Sequence, residues 1–203
     1  MTYDTVVFDL GNVLIAWEPA LAFHGVLDPD DVPAFLEEVD FPAWNHAQDS
    51  GRSWADGVAD LASRFPHHRV AIEAYVPNFA STLREMPAAT AVLHELAARG
   101  VRLLALTNWS AELFGHARDR FAFLEEFEGI VVSGQERVAK PDRRVFEVLL
   151  RRYEVDPGHA VFVDDSAVNV AAACAVGLRG VRFVDAPALR RELVAAGLLP
   201  PDT

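Results

Sequence analysis

Thr5-Val6-Val7-Phe8-Asp9-Leu10-Gly11-Asn12 sets four apolar or β-branched residues against a carboxylate and then a turn. The pattern returns three times. Val101-Arg102-Leu103-Leu104-Ala105-Leu106 runs into Thr107-Asn108, Gly129-Ile130-Val131-Val132 into Ser133-Gly134, and Ala160-Val161-Phe162-Val163 into Asp164-Asp165. Each run is nearly continuous in apolar residues, as strands covered on both faces must be. A weaker fifth run is Val181-Arg182-Phe183-Val184. Helical periods separate the strands at 88–99, closed by Gly100, at 141–153 with Pro141 in the first turn, at 167–176 before Gly177, and at 186–196 before Gly197. Strand alternating with helix predicts an α/β fold, a doubly wound parallel sheet of Rossmann-like design.

Residues 17–86 break the alternation. Helices are expected at 29–39, 53–65 and 69–83, with no convincing strand, and the stretch holds Trp17, Trp44 and Trp54. The expected division is a Rossmann-like core of residues 1–16 and 87–203, carrying a helical insertion at 17–86. No repeat, low-complexity tract or flexible linker interrupts it.

Composition narrows the class. The chain has 203 residues, 51% of them hydrophobic, enough for a real core. No apolar run reaches the roughly 18 residues of a membrane span, and no signal peptide is expected at Met1-Thr2-Tyr3-Asp4. One cysteine, Cys174, excludes a disulfide framework and a multi-cysteine zinc site; it is expected to pack in the core. A formal charge of −12 argues against nucleic acid as a partner. The pairs Arg143-Arg144, Arg151-Arg152 and Arg190-Arg191 read as solvated helix faces. Together these imply a cytosolic protein with neither membrane nor nucleic acid as partner; monomer and homodimer both stay open. One count stands out. Of 18 Lys and Arg, Lys140 is the only lysine, either an accident of composition or the mark of a place that needs a compact ammonium where a planar fork does not fit.

In an open parallel sheet, ligands bind beyond the carboxyl ends of the strands. Three strands here end in polar residues at that edge: Asp9, Thr107-Asn108 and Asp164-Asp165, with Lys140 in a loop before a helix. Two unit charges 4 Å apart repel by about 4 kcal/mol at an effective dielectric of about 20. Three clustered carboxylates therefore call for a cation. Oxygen ligands without His or Cys favour a hard ion, magnesium before calcium. A metal and Lys140 would receive a phosphoryl dianion, Thr107 and Asn108 would donate to its oxygens, and Asp9 stands where it can attack phosphorus.

With these four elements in order, Val6-Val7-Phe8-Asp9, Leu106-Thr107-Asn108, Ala139-Lys140-Pro141-Asp142 and Val163-Asp164-Asp165 through Asn169, the chain resembles the haloacid dehalogenase superfamily. It is similar in flavour to bacterial sugar-phosphate phosphatases and to the phosphatase domain of soluble epoxide hydrolases. The resemblance implies that residues 17–86 form a cap, that Asp9 is nucleophile and magnesium ligand, and that Gly11 offers its carbonyl to the metal. It implies that Thr107 and Asn108 hold the phosphoryl group and that Lys140 steadies it and the nucleophile. Asp165 would be a direct metal ligand and Asp164 a ligand through water or behind it. Asn169 would be a site residue or merely a loop anchor. The expected activity is magnesium-dependent hydrolysis of small phosphomonoesters, among them sugar phosphates such as a hexose 1-phosphate, through an aspartyl-phosphate.

One position departs from the pattern. Most phosphatases of the superfamily carry a second aspartate two residues after the nucleophile, as general acid; here Gly11 stands there. Either the insertion supplies a substitute, with Glu18, His24, His46 and Asp49 as candidates, or the enzyme is slow, or it takes substrates with acidic leaving groups such as anomeric phosphates. Two other functions remain open: a 2-haloacid dehalogenase, which uses the same aspartate on carbon without a metal, and a non-catalytic phosphate-binding module.

Overall fold

A computed structural model describes residues 3–201. The strand β1 (Thr5–Phe8) is followed by a short β2 (Ile15–Trp17). The helices α1 (Val32–Glu38), α2 (Phe41–Asp49), α3 (Trp54–Arg64) and α4 (Arg69–Asn78) then precede β3 (Leu83–Glu85). The alternating part runs through α5 (Pro87–Ala98), β4 (Arg102–Thr107), α6 (Phe114–Arg120) and β5 (Gly129–Val132). It continues through α7 (Ser133–Glu136), α8 (Arg143–Arg152), β6 (Ala160–Asp164), α9 (Ala167–Ala175), β7 (Arg179–Arg182) and α10 (Ala186–Ala195).

Among the described residues, five strands make one parallel sheet in the order β5-β4-β1-β6-β7. The chain leaves β1 for β4 on one side and later returns to β6 on the other, so the sheet order reverses at β1. Asp9 follows β1 at that point. Its neighbours in register are β4, where Ala105 lies opposite Phe8, and β6, where Val163 does. The period-2 alternation sorts the strand residues into two cores. Val6, Phe8, Leu103, Ala105, Val161 and Val163 pack with Leu93 and Leu96 of α5 and Leu189 and Leu193 of α10. Val7, Leu104, Leu106 and Phe162 pack with Val145, Phe146 and Leu149 of α8.

Helix starts follow side-chain capping. Ser53, Asp142, Ser166 and Asp185 each accept a hydrogen bond from a backbone N–H of the first turn. Because Asp142 is the cap of α8, Pro141 precedes the helix instead of lying in its first turn. The expected helix at 69–83 stops at Asn78, just past Pro77, and gives way to a 3-10 turn at Phe79–Thr82. The fifth strand pairs at 179–182, two residues earlier than expected.

The 17–86 segment differs most from expectation. Residues Trp17 and Leu83–Glu85 do form strand: β2 and β3 pair antiparallel, Trp17 opposite Leu83. Three residues per strand are too few for alternation to show. Helix α2 was not expected either, because Asn45, His46 and Asp49 interrupt its apolar period. Its buried side, with Phe41 and Trp44, joins an aromatic cluster instead. Ring centroids lie 5.6 Å apart for Phe41 and Trp44, 5.1 Å for Trp44 and Trp54, and 5.2 Å for Trp54 and Tyr75. Each such pair contributes about 0.5–1.5 kcal/mol beyond area burial. Cys174 also differs: it is exposed, and Ala173 beside it takes the buried position on α9.

Gly134, in the short helix α7 after β5, packs against the loop that follows β4. A Cβ there would meet the backbone N of Ala111 at 2.5 Å and the carbonyl of Trp109 at 2.8 Å. Backbone cannot swing aside. Gly134→Ala is therefore expected to destabilise the protein by about 1–3 kcal/mol, read as a lowered urea midpoint at unchanged slope. An unchanged midpoint would show that the approach is looser than this.

Candidate active site

Lys140 organises the strand ends. Its Nζ lies 3.0 Å from Asp9 Oδ1 and donates to Asp164 Oδ2 at 2.7 Å and to the Leu106 carbonyl at 2.8 Å. One ammonium thus joins β1, β6 and β4, and all three of its protons have acceptors. The side chain is fully buried. Asn108 holds the backbone of the same lysine from both sides: its Nδ2 donates to the Lys140 carbonyl at 2.9 Å, and its Oδ1 accepts from the Lys140 N–H at 2.8 Å. The amide expected to face a phosphoryl group is engaged first in fixing the lysine loop.

Asp164 is held on every side. Besides Lys140, the Ser166 N–H donates to its Oδ1 at 2.8 Å, and Asn169 Nδ2 reaches both oxygens at 3.1 Å. Asn169 is therefore an anchor of Asp164. Asp165 is half-buried beside it, and oxygens of Asp9, Asp164 and Asp165 all lie within 4.8 Å of one another. On Asp9, the Leu10 N–H and Lys140 both meet Oδ1. Thr107 is fully buried, and its hydroxyl oxygen has no hydrogen-bond partner among the described residues. A buried hydroxyl without a partner costs free energy, so its placement at this edge suits an incoming acceptor.

Burial pushes the Asp9 carboxyl up to about 7; Lys140 opposes this and Asp164 adds to it. Asp165 is raised too, by burial and then by Asp164, against Lys140. Three carboxylates face a single ammonium, and two of them resist ionisation. An all-oxygen cluster with this excess of negative charge fits a hard divalent cation.

A cavity adjoins the site. Gly11 and Asn108 line it from the sheet edge, Trp17, Trp54 and Trp109 supply aromatic walls, and Asp49 reaches it from α2. Of the four acid candidates in the insertion, only Asp49 lines this cavity. Glu18 is ion-paired with Arg84, and His24 and His46 are exposed. Asp49 is 8% exposed, and burial raises its carboxyl to about 7; the Asp9 charge adds to the shift, while hydrogen bonds from the Ser110 N–H and Asn45, and the Lys140 charge, oppose it. Asn45 Nδ2 donates to Asp49 Oδ2 at 2.8 Å. Ser110 and Asn45 were not singled out by sequence. The only signal for Ser110 was its place just after Thr107-Asn108.

The doubly wound sheet thus gathers a buried carboxylate, a buried lysine and paired aspartates at its switch point, an arrangement that suits an α/β-fold hydrolase. The chain belongs to the haloacid dehalogenase-like hydrolases, whose family model matches residues 3–177. A sesquiterpene phosphatase of Aspergillus oryzae, astK, is 28% identical over 196 residues, 95% of each chain. Among solved structures, a haloacid dehalogenase family enzyme of Bacteroides thetaiotaomicron in complex with magnesium and inorganic phosphate superposes with a TM-score of 0.69 at 19% identity, over 90% of this chain and 94% of that one. L-2-haloacid dehalogenase of Xanthobacter autotrophicus with chloropropionic acid covalently bound gives 0.66 at 18% identity, over 98% of this chain and 85% of that one. At these identities the structural likenesses establish the fold.

The raised carboxyl has a consequence for stability. Native Asp9 titrates near 7 and the unfolded residue near 3.8, so between those values the native state binds the extra proton. Stability contributed by the neutral carboxyl is then lost as pH rises through that window. In chelator, Asp9→Asn is expected to melt at the same temperature as the native chain near pH 4 and higher than it at pH 8. Thermal unfolding at the two pH values checks this; a lower melting temperature at pH 8 would reverse the sign.

Proposed function

We propose that this protein is a magnesium-dependent phosphatase that hydrolyses small phosphomonoesters through an aspartyl-phosphate on Asp9. The observation that carries the reading is the Lys140 ammonium shared by Asp9 and Asp164, with Asp165 within the same cluster. Both protein contacts of Asp9 fall on Oδ1, which supports attack through Oδ2. In this scheme Asp9 attacks phosphorus, and the bond from phosphorus to the leaving oxygen breaks. Water then attacks the aspartyl-phosphate, releasing inorganic phosphate and restoring the carboxylate. Lys140 holds Asp9 in line and offsets the charge of the phosphoryl group. The Thr107 hydroxyl donates to a phosphoryl oxygen, and the second Asn108 amide proton assists.

Asp9, Asp165 and the Gly11 carbonyl would hold magnesium, with Asp164 behind them through water. When bound, magnesium neutralises charge on the phosphoryl oxygens. Residues 17–86 act as a cap over the core of residues 1–16 and 87–203. Its aromatic walls support an apolar alcohol moiety, as the sesquiterpene phosphatase relative also suggests. They favour it over a hexose 1-phosphate, since the faces of Trp17, Trp54, Phe79 and Trp109 give apolar contact while polar partners come only from the side of Asn45, Asp49, Asn108 and Ser110. A dehalogenase would have to bring a carboxylate substrate to Asp164 and Asp165, which oppose it. Among the described residues no helix is long and apolar enough to cross a membrane.

Phosphate release from p-nitrophenyl phosphate tests the reading. Activity is expected to need magnesium and to fall by more than about 10³-fold in Asp9→Asn. Lys140→Arg is not expected to rescue function, since the closed pocket has no room for the longer planar group. Full activity in excess chelator would reject the metal, and chelator-resistant release of halide from a 2-haloacid would establish the dehalogenase. For substrate class, an isoprenyl monophosphate is expected to exceed a hexose 1-phosphate in kcat/KM by more than about tenfold. The reverse order would return the sugar reading.

A further inference from the structure

We propose that Asp49, at the end of α2, is the general acid–base of this site, replacing the aspartate that Gly11 lacks. This rests on the phosphatase reading. Gly11 leaves real space: a Cβ built there meets nothing within 4 Å. Gly11 lines the same cavity as Asp49 and Asn108. Asp49 thus faces the region where a leaving oxygen would emerge from a phosphoryl group on Asp9.

Its placement is built, not incidental. Asn45, one turn earlier on α2, donates to Oδ2 at 2.8 Å. The Asp49 backbone carbonyl accepts from Ser133 Oγ at 2.6 Å, and the same Oγ accepts from the Trp109 N–H at 3.0 Å. The carboxyl-bearing end of α2 is therefore tied to the loop after β4, which begins at Asn108, next to Thr107. The charged groups acting on it are Asp9 and Lys140, while His46 on the same helix is exposed. With its carboxyl raised to about 7 by burial, Asp49 is partly protonated near neutrality, and the protonated form is the one a donor needs.

The protons balance in two steps. As Asp9 bonds to phosphorus and the ester P–O bond breaks, the Asp49 proton passes to the leaving oxygen, giving the free alcohol. The Asp49 carboxylate then takes a proton from the water that attacks the aspartyl-phosphate, which restores both residues.

The experiment compares Asp49→Asn with the native enzyme, in magnesium, on p-nitrophenyl phosphate and on a primary alkyl phosphate. The nitrophenolate leaves without help and the alkoxide does not. The expected result is a loss of about 10²–10⁴-fold in kcat/KM on the alkyl substrate and less than about tenfold on the aryl one. The retained aryl rate reports that the variant folds. Equal loss on both substrates, or no loss on the alkyl phosphate, overturns the proposal. Should the variant fail to fold, the native enzyme decides. A kcat/KM almost independent of leaving-group pKa supports an acid, and a steep fall with rising pKa overturns it. No hydrolysis of either substrate by the native enzyme would instead reject the phosphatase reading itself.

Discussion

A buried ammonium flanked by two carboxylates is the constraint on which the carboxyl edge of the sheet depends. Lys140 Nζ meets Asp9, Asp164 and the Leu106 carbonyl, one partner from the end of each central strand. Removing one member of such a buried set typically costs about 3–5 kcal/mol, because the rest are left uncompensated. The neighbouring polar residues make sense as its supports. Asn108 fixes the lysine backbone, and Asn169 and Ser166 fix Asp164. Three donors radiating from one nitrogen answer acceptors on three strands. A flat guanidinium in the same closed space would not, which gives a physical reason for one lysine in a chain that otherwise uses arginine.

The same architecture explains what sequence could reveal. Strands buried on both faces announce themselves as continuous apolar runs, and the polar residue ending each run lies at the edge where ligands bind. Asp9, Thr107, Asn108 and the Asp164-Asp165 pair were legible for that reason. Lys140 was legible by rarity. Helix α2 was not, because its polar residues serve partners far away in sequence: Asp49 faces the cavity, and Gln48 is buried against the Trp44 carbonyl. Cys174 misled because an alanine-rich helix has too little contrast between its faces to show which side is buried. The exposed side was settled only by how α9 lies against β6 and β7.

The contacts of residues 17–86 with the sheet are of two kinds. The aromatic cluster from Phe41 to Tyr75 gives this segment its own apolar interior, continuous with one core of the sheet. Apolar packing is strong but nondirectional, and it tolerates sliding. At the cavity the contacts turn polar. Trp54 Nε1 donates to Ser110 Oγ at 2.7 Å, the Trp54 N–H donates to Glu112 at 2.9 Å, and Ser133 joins Asp49 to Trp109. Hydrogen bonds hold distance and angle where packing does not.

That change of interaction type falls where position matters most. A proton donor two residues after the nucleophile would be placed by the same turn as the nucleophile, whatever the helices did. With the donor on α2, its distance from Asp9 depends on how α2 sits against the loop after β4. Residues 107–112 then serve both partners. Thr107 and Asn108 belong to the sheet edge, while Ser110 and Glu112 hold α3 through Trp54. Movement of the helices away from this loop would separate Asp49 from Asp9 and open the cavity in one motion. On the proposal that Asp49 is the acid, proton transfer would be confined to the docked arrangement, in which Trp17, Trp54 and Trp109 line the same cavity as Asp49.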